Sequence, residues 1–306
     1  MLLLQLLFDA LALGAAYALV ALGFVLILNA TGAVNFAQGE LVMAGSFGAL
    51  LLARLLPSAL AQWGLLLLPA LLAGMALLGL LVAALAYLPL RRRPPEAVFL
   101  STIAVGIVVQ NAATLLFGPE PRAVPALAGE GAWQFASLVL SRQKLAIILV
   151  AAVLGAGLHA MFTRTQLGRR LRAASQDREV AAAIGIDVDG LALGVFAAGV
   201  ALAGTAGLLL GHSYFVTPDA GGGYMLKAYI AATLGGWGSL PGAVLGALLI
   251  AVFEVVWPAL PALVPALPDG PPFTQPMSAV VLDAGMLLIL LLRPHGLLGP
   301  ASRIRA

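Results

Sequence analysis

Long apolar runs, broken by short polar stretches, set the pattern of this chain. Runs built mostly of Leu, Ala, Val, Ile and Gly cover residues 1–28, 41–56, 63–90, 97–117, 145–162, 191–211, 225–257 and 278–292. None shows the short alternating segments of a barrel strand. A helix needs roughly 20 apolar residues to cross about 30 Å of hydrocarbon, so the pattern predicts about eight transmembrane helices. The seventh run is too long and too broken to be simple. It contains Gly235-Gly236-Trp237-Gly238-Ser239-Leu240-Pro241-Gly242, a cluster of helix breakers that predicts a short piece followed by a longer one. The first run has no basic leader and no obvious cleavage site, so it reads as a retained helix and not a signal peptide.

Composition agrees. The 306 residues are 62% hydrophobic and only 9% charged, with a mean hydropathy of +1.05, more apolar surface than one soluble core can hide. The expected fold is all-α: a single transmembrane domain over residues 1–306, with broken or re-entrant segments. Cysteine is absent, which removes disulfide and thiol chemistry.

Basic residues orient the chain, because Lys- and Arg-rich loops stay cytoplasmic. The cluster Arg91-Arg92-Arg93, the stretch from Arg164 to Arg178, and Arg293, Arg303 and Arg305 together hold 11 of the 16 basic residues. If all face the cytoplasm, loops 118–142 and 258–276 lie outside, the N-terminus lies outside, and Trp63 and Trp257 sit at the outer interface.

The polar loop 164–189 stands out, since nine charged residues fall in it. Ser175 is the expected N-cap of a short cytoplasmic helix, Asp177 and Glu179 suit its first turn, and Gly185 suits its stop. About nine residues would span roughly 13 Å, too short to cross a bilayer but long enough to lie across it and dock in a groove. Val180, Ala181, Ala182, Ala183 and Ile184 suit close contact. The alternative is a solvated connector, although a passive link needs only a handful of residues. Gly190, Gly194, Gly207 and Gly211, with Ala198 and Ala203, and later Gly242 and Gly246, repeat small residues at spacings that let helices pack closely.

Two interruptions bear on a route through the membrane. Residues 29–40 bring Asn29, Asn35, Gln38 and Glu40 between apolar runs, and the 235–242 break carries Ser239. Such breaks either line a transport path or form ordinary cytoplasmic turns. Gln110 and Asn111, inside a run, either line a path or bond between helices. Charges within apolar runs are costly and usually purposeful, and here they are Asp9, Glu40, Lys227, Glu254 and Asp283. Several of them facing one cavity would indicate a proton-coupled secondary transporter or a channel for a small polar solute. Glu254 and Asp283 are expected near span ends, within reach of interfacial water, and His159 is expected at an interface. No residues have metal-ligand spacing and no nucleophile is paired with a base, so the chain reads as non-catalytic.

Specific motifs go further. Residues 168–186, Gly168-Arg169-Arg170-Leu171-Arg172-Ala173-Ala174-Ser175-Gln176-Asp177-Arg178-Glu179-Val180-Ala181-Ala182-Ala183-Ile184-Gly185-Ile186, resemble the coupling-loop motif of LivH-type permease subunits of branched-chain amino acid ABC importers. Asn35-Phe36-Ala37-Gln38-Gly39-Glu40 resembles that family's NFAHGE element, with Gln38 where His is more usual, and residues 235–243 resemble its GGxGSxxGA element. The ending Arg293-Pro294-His295-Gly296-Leu297-Leu298-Gly299 also fits. The resemblance implies a bacterial inner-membrane subunit that pairs with a second, LivM-like permease, two cytoplasmic ATPases and an external solute-binding protein. No cofactor is expected in this chain, with ATP and Mg held by the ATPases; the absence of a GxxxxGK[ST] run agrees. Membrane lipid is the expected surrounding and nucleic acid no partner. By match to the motif, Arg169, Arg172, Asp177, Glu179, Ala182 and Gly185 are the expected ATPase-coupling residues. Asn35, Gln38, Glu40, Gln110, Asn111 and Ser239 are the candidate path residues. The family's first solute is a neutral aliphatic, branched-chain amino acid; urea and short amides are the alternatives.

Overall fold

An apolar chain in lipid must satisfy its backbone hydrogen bonds within its own helices, and helices dominate this protein. The computed structural model describes residues 2–57, 63–129, 131–135, 138–264, 267 and 270–292. The helices are α1 (Leu2–Thr31), α2 (Gln38–Leu55), α3 (Gly64–Val82), α4 (Pro95–Phe117), α5 (Arg142–Arg164), α6 (Gln166–Gln176), α7 (Arg178–Ala183), α8 (Val188–Tyr214), α9 (Gly221–Gly235), α10 (Leu240–Val256), α11 (Leu260–Leu263) and α12 (Gln275–Leu292). α3 runs on through a widened turn at Ala83–Tyr87. Six of these, α1, α3, α4, α5, α8 and α10, are long and apolar enough to cross a bilayer. Of the eight predicted runs, the second became α2 and the eighth α12, neither of which is among those six, and the seventh split at Gly235 into α9 and α10, of which only α10 is among them. The C-terminal motif 293–299 and the basic residues Arg293, Arg303 and Arg305 lie outside the described residues.

α1 and α8 are the buried centre. α10 packs on α1 as α3 packs on α8, and α2 packs on α9. The segments α1–α2–α3 and α8–α9–α10 thus answer one another. They also run in opposite directions. Thr31, which ends α1, meets Arg178, and Asp189, in the first turn of α8, meets Arg91 beyond the end of α3. Both lie at the end of the bundle that carries α6 and α7. This is the arrangement of an inverted repeat.

Small residues set the closest approaches. Ser46 donates to the Gly207 carbonyl at 2.8 Å and Gln38 to that of Gly199 at 3.4 Å, so α2 and α8 run parallel. A Cβ on Gly207 would strike the Val42 carbonyl, and one on Gly45 would strike Gly204 backbone. Gly194, from the same stripe, has open space around it. We expect Gly207→Val to destabilise the fold by about 3 kcal/mol through overpacking and Gly194→Val to change it little. Thermal unfolding in detergent checks this, and equal midpoints for both variants would remove the close-packing account.

The end opposite α6 and α7 is built by residues 118–141. Val124 N donates to the Gly211 carbonyl at 3.2 Å and Gly64 N to the Ala126 carbonyl at 2.8 Å, which closes this segment over the ends of α3 and α8. A two-stranded antiparallel hairpin, β1 (Ala132–Phe135) and β2 (Leu138–Ser141), adds to an otherwise helical fold and pairs Ala132 with Ser141 and Phe135 with Leu138. Trp63 and Trp257 lie at this end, Trp257 donating to the Pro272 carbonyl at 2.8 Å.

Two expectations are corrected. The polar loop holds two helices, and Ser175 caps neither: it sits in the last turn of α6 and donates to the Arg172 carbonyl at 2.9 Å. Glu254 does not reach interfacial water. It is buried, 2.7 Å from Lys227 Nζ, because the long Lys and Tyr side chains beside it reach it from α9 and α1.

Candidate functional site

The charged end of the bundle is assembled by local capping. Thr165 accepts from Gly168 N at 3.2 Å and starts α6. Asp177 ends α6 and starts α7, its Oδ1 accepting from Glu179 N at 2.9 Å and Val180 N at 3.0 Å. Gly185 stops α7 with φ 86°, where a side chain would strain the backbone, and its N–H reaches the Ala182 carbonyl at 3.0 Å. Ala181 is buried beneath, while Glu179, Val180, Ala182, Ala183 and Ile184 are exposed. Val180 is 57% and Ile184 70% exposed, so this six-residue helix and the residue that ends it turn two aliphatic side chains outward.

The six expected coupling residues occupy this platform, all exposed. They do different jobs. Asp177 is the cap, Gly185 the stop, and Arg172 donates to the Phe162 carbonyl, tying α6 back to α5. Arg169, Glu179 and Ala182 face outward.

Arg178 was not singled out by the sequence reading, and it links the platform to the bundle. Its guanidinium donates to the Thr31 carbonyl at 2.9 Å, at the negative end of α1, and lies 5.7 Å from the Tyr87 ring centroid. Its place directly after the capping Asp177 was the one available signal. Beside the platform a cavity of about 770 Å³ opens between Asn29, Arg172, Gln176, Trp237 and Ser239. Ser239 caps α10 by accepting from Gly242 N at 3.1 Å, and Asn29 donates to the Gly238 carbonyl at 2.8 Å. The two interruptions of the apolar pattern therefore touch.

The other candidate path residues separate into groups. Asn35 and Gln38 are buried and bonded to each other at 3.2 Å, beside α8. Asn111 is exposed on α4 and donates to the Ile107 carbonyl of its own helix at 2.8 Å. Glu40 and Gln110 come together, lining a cavity of about 590 Å³ with Phe36, Ile107, Met225 and Tyr229. The first turns of α2 and α9 meet at its edge. A Cβ built on Gly221 would lie 2.9 Å from the Glu40 carboxyl carbon, and one on Gly106 of α4 3.5 Å from it.

Two other acids inside the apolar runs, Asp9 and Glu254, are neutralised in place. Lys144 holds Asp9 at 2.7 Å. Lys227 holds Glu254 at 2.7 Å, while Tyr17 donates to Glu254 at 2.8 Å and accepts from Lys227 at 2.6 Å. This triad joins α1, α9 and α10. Among the described residues no group of His, Cys, Asp and Glu is arranged to hold a metal ion.

Comparison with known proteins gives consistent matches. The family model described as "Branched-chain amino acid transport system / permease component" matches residues 6–292. The chain is 34% identical to the high-affinity branched-chain amino acid transport system permease protein BraD of Pseudomonas aeruginosa, over 97% of this chain and 95% of the relative. It is 31% identical to the LivH permease protein of Escherichia coli strain K12, over 97% and 95% respectively. Among solved structures, a chain of PsaBC from Streptococcus pneumoniae in complex with Fab aligns with a TM-score of 0.47 and 16% identity, over 94% of this chain and 91% of that one.

Proposed function

The chain belongs to the branched-chain amino acid transport system permease component family, and from that premise we propose how it works. It is the permease subunit of an ATP-binding cassette importer for branched-chain amino acids. It sits in a bacterial inner membrane, pairs with a second, LivM-like permease, receives solute from an external binding protein and is driven by two cytoplasmic ATPases. Those ATPases bind ATP and Mg; this subunit does no covalent chemistry.

The observation that carries the reading is the platform. α7 presents Val180, Ala182 and Ile184 outward, while Arg178 holds it to the end of α1 and the widened turn of α3. Closure of the ATPase pair would press on α6 and α7, and the Arg178 contacts pass that displacement to α1, one of the two central helices. Solute would pass along the face that carries Glu40 and Gln110, which the second permease would close.

The proton-coupled alternative needs several free acids on one cavity. Asp9 and Glu254 are instead each paired with a lysine, apart from the cavity that Glu40 lines. Reconstituted in liposomes with its partners, the chain is expected to import leucine only with ATP and binding protein present. Import by the chain alone under a proton gradient would overturn the proposal.

A further inference from the structure

Among the described residues, Glu40 is an acid with no cation beside it. Asp9 and Glu254 each have a lysine within 2.7 Å, but among the described residues the Glu40 side chain has no ion pair and no side-chain hydrogen bond to another residue. Asp283 on α12 has no ion pair among the described residues either, yet it does not line the cavity that Glu40 enters. Leaving an acid unpaired within apolar spans is costly and usually purposeful.

The cavity around it has two characters. Glu40 and Gln110 supply a carboxylate and an amide on one side, while Ile103, Ile107, Met225 and Leu226 supply aliphatic surface. Its volume of about 590 Å³ falls within the range of small-molecule sites. What such a site lacks is a small cation carried on an apolar body. Gly106 and Gly221 keep the space beside the carboxylate clear, since a methyl group at either would lie against it.

Building on the importer reading above, we propose that Glu40 receives the α-ammonium of the amino acid in transit and that Ile107, Met225 and Leu226 take its aliphatic side chain. The membrane subunit then selects for itself: an uncharged solute such as urea or a short amide has no cation to offer Glu40.

The test uses the reconstituted importer with its ATPases and binding protein. Glu40→Gln keeps the shape and removes the charge; leucine uptake is expected to fall at least tenfold while the complex still co-elutes, and Glu40→Asp to retain part of the rate. An independent readout uses the cysteine-free background. Ile107→Cys is expected to react with a methanethiosulfonate reagent, leucine to slow that reaction at least threefold, and 4-methylpentanoate, which lacks the ammonium, to give no protection. Leucine protection should vanish when Glu40→Gln is added. Uptake by Glu40→Gln above half the unaltered rate, or equal protection by leucine and 4-methylpentanoate, overturns the proposal. If Glu40→Gln fails to assemble, Glu40→Asp and the cysteine protection decide it. Absence of ATP-driven leucine uptake by the unaltered complex removes the importer premise instead.

Discussion

Glutamate at both Val180 and Ile184 is expected to abolish binding-protein-stimulated ATP hydrolysis and to release the ATPases, while leaving the permease folded. The two side chains, on α7 and at its C-terminal end, are 57% and 70% exposed, so the free subunit loses little when they change. In the assembled importer they would be covered. Burying an aliphatic side chain is worth about 1.5–3 kcal/mol, so losing two at the low end weakens docking by about 100-fold. The new carboxylates would also lose hydration on docking. Asp177→Ala makes a useful contrast, because removing the cap costs about 1 kcal/mol of α7 itself and weakens docking through local unfolding. Co-elution with the ATPases, stimulated hydrolysis and thermal unfolding of the permease separate these effects. Normal stimulation in the Val180→Glu, Ile184→Glu variant would mean that α7 is not where the ATPases bear.

Glu254→Ala should be the most damaging single substitution among the buried charges. It leaves Lys227 facing Tyr17 with no counter-charge at the junction of α1, α9 and α10. Breaking a buried pair from one side costs about 3–5 kcal/mol, whereas replacing both partners by apolar residues is often close to neutral. Glu254→Ala is therefore expected to lower the unfolding midpoint sharply, and the double variant Lys227→Met, Glu254→Leu to recover most of it. Thermal unfolding in one detergent measures both. A single variant as stable as the unaltered protein would show that the pair does not hold these helices together.

Much of the plan was legible in the chain because lipid imposes local rules. Apolar runs must be helices, the 235–242 glycines must interrupt one, and Gly185 must stop α7, since each follows from transfer energy or backbone freedom at neighbouring positions. The position of Glu254 was misjudged for the opposite reason. Distance from the end of a run says how near a residue is to water only when no neighbour covers it, and Tyr17 covers this one from 237 residues away. Ser175 looked like a cap because it precedes acidic residues, yet α6 runs through it and Asp177 took the role. Of the candidate path residues, those that bond within the protein and those that face a cavity look alike in a string of letters: Gln38 and Gln110 are both amides near apolar runs, but only Gln110 lines space.

By itself the sequence determined that this protein lives in a bilayer, that its long apolar runs are helices, that a charged loop stands out from it, and which family its motifs resemble. Only the tertiary structure decided that Arg178 ties that loop to α1, that Lys144 and Lys227 neutralise Asp9 and Glu254, and that Glu40 lines a cavity with no cation beside it among the described residues. The division has a physical cause. Partition into lipid and helix capping depend on residues a few positions apart, whereas ion pairing and cavity lining depend on which distant helices pack together.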